Sequence, residues 1–155
     1  MRRRGSRSGL TLIELIVAFT IMLILTGMAV PLARVKVRRE KERELRYALR
    51  EIRSAIDRYK DAADRGVLGP QKIDSEGYPP DLQTMVDGVK MQGAVDKKIR
   101  FLRRIPRDPL TGQSDWGQHA MQDDPTSQSW GGQNVFDVYT KSMDTALDGT
   151  KYSDW

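Results

Sequence analysis

The chain has 155 residues, no cysteine and a formal charge of +5. That length holds one ordinary domain and an appendage, and the missing thiols exclude a disulfide framework, a thiolate metal site and a cysteine nucleophile. A basic balance invites a nucleic-acid reading, but Arg2, Arg3, Arg4 and Arg7 crowd the first nine residues, and without those four the charge is only +1.

Residues 15–33, LIVAFTIMLILTGMAVPLA, carry no charge. A helix rises about 1.5 Å per residue, and roughly 20 residues cross the hydrocarbon of a bilayer, so this run is long enough to span one. The preceding arginines favour a cytoplasmic N-terminus, with the rest of the chain outside. A buried core helix of this length would keep a polar face, and this run has none. A cleaved secretory signal is the stronger rival, with Gly27-Met28-Ala29 as a small-x-small site. Against it, the run exceeds the usual apolar region of roughly 7–15 residues, and Glu14 would have no purpose at its head.

A cut after Gly9 gives Glu14 a purpose. Leu10 would then carry a free amine one helical turn away, on the same chain or a neighbouring copy. That amine could neutralise a carboxylate among apolar side chains, where an unpaired ion is costly. Glu14 also suits the free N–H groups at a helix start, and capping its own helix at the headgroup level accounts for it equally well. Further along, Pro31 offers no N–H to the carbonyl of Gly27, itself a poor helix residue. The turn from 27 to 31 is therefore the predicted weak point of the helix.

Beyond Ala33 the chain turns to charge, RVKVRREKERE, and then becomes periodic. Leu45, Ala48, Leu49, Ile52, Ala55, Ile56 and Tyr59 recur at three- and four-residue steps, which defines a helix with one apolar stripe. Gly66 is a natural stop. The pattern predicts one helix from about residue 11 to 65, its stripe covered by the C-terminal part. Glu40, Glu42, Glu44 and Glu51 interleave with the arginines, which reads as a solvated, salt-bridged face rather than a nucleic-acid site.

GVLGPQKIDSEGYPP is a loop by its glycines and prolines. Pro80-Asp81 opens a predicted short helix over Leu82, Met85 and Val86 that ends at Gly88. IRFLRRIPRDPLTGQ is too punctuated for a long regular element. NVFDVYT is the best strand, with Val135, Phe136, Val138 and Tyr139. Its partner is expected within residues 116–121, and the tail KYSDW as a third short strand or a clamp. So few strands need a covering face, and the helix stripe supplies one.

The string from Gly9 through Leu10 to Glu14, between a basic leader and a long apolar run, resembles the type IV prepilin leader and methylation motif. The resemblance implies that a prepilin peptidase cuts between Gly9 and Leu10 and N-methylates Leu10. It implies that Glu14 pairs with the terminal amine of an adjacent subunit, and that the stretch around Pro31 extends or melts during packing. GYPPDLQTMV, RRIPRDPLTG, the W–GGQNVFDVY run and the aspartate-containing end with Trp155 are similar to the major pseudopilin of type II secretion systems.

That likeness implies an α+β pilin fold, a long N-terminal helix packed on a small antiparallel sheet. Residues 1–9 would be a cytoplasmic leader that is removed, 10–33 a transmembrane and filament-core helix, 34–66 its exposed amphipathic continuation, and 67–155 the globular region. The implied subunit is structural, not an enzyme. It sits in the bacterial inner membrane in a single pass, with the C-terminal domain in the periplasm, and polymerises into a pseudopilus for type II secretion across the outer membrane. Its implied partners are further copies of itself, the prepilin peptidase, minor pseudopilins, the inner-membrane assembly platform and, before assembly, membrane lipid. No nucleic-acid partner is expected. A type IV pilus subunit for adhesion, motility or DNA uptake is the alternative, and a secreted or tethered ligand-binding domain a more distant one.

Many major pseudopilins bind calcium in a C-terminal loop. Here Asp144, Asp148 and Asp154 are the candidate oxygen ligands, although the adjacent aspartates and dense glycines of that loop are missing, and turn or capping roles fit these residues better. Asp123-Asp124-Pro125 reads as turn chemistry. His119 is the only histidine, without metal-ligand spacing, and reads as a surface or sheet-packing residue. Ser114 and Asp115 near it in sequence do not make a triad. No Walker-type phosphate loop is present. Trp116, Trp130 and Trp155 are expected in the core or at subunit contacts.

Overall fold

The computed structural model describes residues 11–93 and 96–155. The leader arginines and the Gly9–Leu10 pair lie outside the described residues. Chain contacts divide the protein into two compact units, residues 1–39 and 40–155.

The first helix, α1, spans Leu12–Asp64 and continues through Pro31. In the first unit every described side chain is exposed. The apolar window of the helix has a mean hydropathy of 2.4, and none of it is buried. Its polar atoms are nevertheless satisfied: the hydroxyls of Thr20 and Thr26 donate to the carbonyls of Ile16 and Met22, at 2.8 Å each. A helix apolar on all sides, with its hydroxyls turned back on its own backbone, is suited to lipid or to other apolar helices.

The second unit is built on the later turns of α1. Leu45, Ala48, Leu49, Ile52, Ala55, Ile56 and Tyr59 are all buried, as their spacing predicts. They pack with Leu68, Leu82, Met85, Leu102, Trp116, Val135, Val138, Ala146 and Tyr152 in one cluster. The helix ends at Gly66, where φ is +66°. The Gly66 N–H donates to the Ala63 carbonyl at 2.9 Å and the Val67 N–H to that of Ala62 at 3.0 Å. This is the Schellman arrangement, and it needs the left-handed backbone that glycine adopts without strain.

The short helix α2, Leu82–Asp87, starts where Pro80-Asp81 predicts. The Asp81 carboxylate accepts the Thr84 N–H at 2.6 Å and serves as the N-cap. Two antiparallel ladders follow: β1 (Val89–Lys90) with β2 (Lys98–Ile99), and β3 (Gly117–His119) with β4 (Asp137–Tyr139). The architecture is the expected α+β pilin-type arrangement, a long N-terminal helix with a small antiparallel region.

Details differ from expectation. Pairing is split between two separate two-stranded sheets. The NVFDVYT strand keeps regular pairing only over residues 137–139, because Val135 donates instead to the Pro79 carbonyl at 2.8 Å. KYSDW does not form a third strand. It makes one isolated bridge, Thr145 with Lys151, and then a 3-10 turn at Tyr152–Asp154, so it acts as the clamp named above.

Gly117 on β3 faces the Tyr139 ring so closely that an added Cβ would overlap it. That ring is stacked on His119 with centroids 4.6 Å apart and its hydroxyl donates to the Gln128 carbonyl at 3.0 Å, so it has little room to yield. Gly117→Ala is expected to destabilise the full chain by about 1–3 kcal/mol, the usual cost of overpacking. Urea unfolding in detergent would measure it, and adding Tyr139→Ala should recover part of the loss if the ring is the obstacle.

Candidate assembly site and its surroundings

Four hydrogen bonds define the start of α1. The Thr11 N–H and hydroxyl both donate to Glu14 Oε2, each at 3.1 Å. The Glu14 N–H donates to Thr11 Oγ1 at 3.3 Å, and the Thr11 carbonyl accepts the Leu15 N–H at 3.2 Å. Thr11 and Glu14 thus form a reciprocal capping box, Thr-x-x-Glu, which satisfies two of the N–H groups left open at a helix start. The sequence left capping and intersubunit pairing equally open for Glu14, and the single chain adopts the first. The two uses are compatible. Both capping bonds fall on Oε2, and a carboxylate has about four acceptor positions, so Oε1 can still meet a cation.

Below this cap, Leu12 and Phe19 are 76% and 69% exposed, and large apolar residues up to Leu32 are similarly open. An apolar surface of this extent marks contact with a membrane or with other protein.

The proposed calcium ligands do not converge. The Asp148 carboxylate accepts the Thr150 hydroxyl at 2.7 Å and the Thr150 N–H at 3.0 Å. The Thr150 hydroxyl and then its N–H hold that carboxyl below the usual carboxylate range. Asp154 accepts the Ser153 hydroxyl at 3.1 Å, and the Asp144 carbonyl accepts the Tyr152 N–H at 3.2 Å. Among the described residues no group of three or more acidic, His or Cys side chains is placed to hold a metal.

The C-terminal loop is tied down by α1 instead. Glu42 Oε1 accepts both the Leu147 N–H and the Tyr152 hydroxyl, at 3.0 Å each. The Arg46 guanidinium lies 4.1 Å from the centre of a Trp155 ring, which also meets Tyr152 edge-on at 5.1 Å. Nothing local distinguished Glu42 from its neighbouring glutamates, because its partners lie more than 100 positions away.

Arg53 joins the same helix to β4. Its Nε donates to Asp137 Oδ1 at 2.6 Å, and its Nη2 donates to Asp137 Oδ2 at 3.2 Å and to the Val138 carbonyl at 3.1 Å. The fork geometry makes this pair more specific than the exposed i,i+4 pairs along α1.

The other candidates fall into structural roles. His119 Nε2 donates to the Ser127 carbonyl and its ring stacks on Tyr139, while Asp115 pairs with Lys141 at 2.6 Å, so no relay links them. Asp123 accepts the N–H groups of Ala120 and Gly131, and Asp124 caps Thr126, which is turn chemistry. Trp116 is core, its indole N–H on the Pro106 carbonyl at 2.9 Å. Trp130 is 40% exposed and donates to the Asn134 carbonyl at 2.7 Å.

Two buried polar residues had no sequence signal. Asp108 and Asn134 are both fully buried. Asp108 accepts the Leu110 N–H at 2.8 Å and the Thr140 hydroxyl. Asn134 accepts the Met121 N–H at 3.0 Å and donates to Gln122 Oε1 at 3.1 Å.

Residues 4–30 match the family model described as the prokaryotic N-terminal methylation motif. No curated protein and no solved structure matches the chain. The motif, which extends into an exposed apolar helix and precedes a small α+β unit, indicates a type IV pilin-like subunit. It supports the pilin superfamily, and with it a structural subunit that is processed by a prepilin peptidase and polymerises into filaments.

Proposed function

We propose that the chain is a structural subunit of the pseudopilus of a type II secretion system. The observation that carries this is the methylation motif at residues 4–30, which runs into the apolar first part of α1, where every described side chain is exposed. The secretion branch is supported by the segments that resemble the major pseudopilin. GYPPDLQTMV supplies Leu82 and Met85 to the core, and RRIPRDPLTG supplies the buried Asp108.

In this reading residues 1–9 are removed and 10–33 anchor the subunit in the inner membrane before they enter the filament core. Residues 34–66 and 67–155 make the exposed helix and the periplasmic domain. Orientation rests on the leader resemblance. Four cations precede the apolar run within residues 1–9 and nine follow it within 34–53, so the Lys/Arg rule alone does not place the N-terminus in the cytoplasm. After the cut, Leu10 carries a methylated amine that pairs with Glu14 Oε1 of a neighbouring copy. Calcium has no part in this proposal.

Intact mass of the membrane-extracted protein tests the processing step. The expected mature chain begins at Leu10 and is one methyl group heavier than its sequence; a chain beginning at Val30 would instead establish a secreted domain. Deleting the gene separates the two filament systems. Loss of protein export with surface filaments intact is expected, whereas loss of surface filaments, motility or DNA uptake with export intact would make this a pilus subunit.

A further inference from the structure

Immediately after the apolar run, α1 carries Arg34, Lys36, Arg38 and Arg39, with no acidic residue among them. All four are exposed. At about 100° per residue they point to roughly 0°, 200°, 40° and 140° around the axis, more than half of the circumference. A stripe that docks against one protein surface is about 100° wide. Charges spread this broadly suit a partner that surrounds the helix. The residues between them, Val35 and Val37, are apolar and 38% and 59% exposed, so long cationic side chains can lie along apolar surface while their heads reach outward.

The position along the axis gives the partner its identity. The uncharged run from residue 15 to 33 is roughly 28 Å long, close to the hydrocarbon thickness of about 30 Å. If that run spans, residues 34–39 lie at the depth of the lipid phosphates. We propose that Arg34, Lys36, Arg38 and Arg39 form a girdle that binds the headgroups of anionic phospholipids around the C-terminal end of the span. The proposal rests on the membrane reading of residues 10–33. Removal of the leader would leave this girdle as the basic flank of the mature span, so anionic lipid would hold the unassembled subunit by a salt-sensitive contact. Nucleic acid fits less well, since residues 34–39 contain no aromatic side chain for base stacking.

The test uses the full chain in phosphatidylcholine vesicles containing trace spin-labelled phosphatidylglycerol or phosphatidylcholine. The motionally restricted spectral component reports which lipid touches the protein. A preference for phosphatidylglycerol of about fivefold is expected, the effect of one Lys or Arg near an anionic surface. It should collapse at 1 M salt, where screening reaches about 3 Å. The variant R34Q/K36Q/R38Q/R39Q should lose the preference, and the leader variant R2Q/R3Q/R4Q/R7Q should keep most of it. A restricted component without lipid preference overturns the girdle alone, as does a preference lost only in the leader variant or capture of a DNA duplex in its place. Absence of any restricted lipid overturns the membrane reading together with the girdle. If the quadruple variant fails to insert, the pairs R34Q/K36Q and R38Q/R39Q decide the matter: each should lose part of the preference, and a full preference in both would overturn the girdle.

Discussion

Glu14→Gln is expected to leave the subunit in the membrane and abolish filament assembly. Glutamine can replace glutamate in a capping box, so the bonds from the Thr11 N–H and hydroxyl survive while the charge is lost. Thr11→Ala does the reverse. It removes the hydroxyl that bonds Glu14, at a cost to helix stability of about 0.5–2 kcal/mol, but leaves a carboxylate to meet an incoming amine. Charge pairing between subunits therefore predicts that Glu14→Gln assembles no filament and Thr11→Ala assembles with a frayed first turn. Capping alone predicts the opposite order. Electron microscopy of the two variants, beside membrane fractionation to confirm insertion, reads the difference. Filaments at normal yield from Glu14→Gln would remove the pairing role and leave Glu14 as a cap. The physical reason for so large an effect is the medium. In apolar packing an ammonium without its counter-ion is a buried unpaired charge, and breaking such a pair costs about 3–5 kcal/mol, repeated at every subunit.

Asp108→Ala is expected to destabilise the globular unit by about 3–5 kcal/mol. The side chain is fully buried, as is Thr140. Its loss leaves the buried Thr140 hydroxyl proton without an acceptor, although that oxygen still accepts the Ser142 N–H, and takes the acceptor from the part-buried Leu110 N–H; a buried group left without a partner costs about 1–3 kcal/mol. The turn around it depends on the same residue. The Asp108 N–H donates to the Gln113 carbonyl and the Gly112 N–H to the Asp108 carbonyl, both at 2.8 Å. Thr140→Val should also destabilise, and the double variant should cost less than the sum, because the two share one contact. Urea unfolding of the full chain in detergent gives the numbers. A loss under about 1 kcal/mol, or simple additivity, would show that the contact does not hold the loop.

What local pattern could reach was read correctly. The seven-residue stripe of α1, the glycine stop at Gly66 and the cap at Asp81 each depend on residues within a few positions of one another. The β3–β4 pair was visible because NVFDVYT carries Val135, Phe136, Val138 and Tyr139 and a short segment near Trp116 remained to pair with it. The β1–β2 pair was not. Each strand is two residues long, too short for alternation to register, and both lie in charged surroundings.

The sequence by itself determined that an uncharged apolar run begins beside a lone carboxylate and after a basic segment, and that the following helix has one face to bury. Those properties reside in composition and in spacing along a single helix. Only the tertiary structure decided that Asp108 and Asn134 are interior, that Glu42 and Arg46 secure the C-terminal loop, and that Asp148 there accepts bonds from Thr150. A polar side chain looks alike in sequence whether solvent or a distant hydroxyl satisfies it. Only the fold places Thr140 beside Asp108, 32 positions away, and burial follows from that meeting.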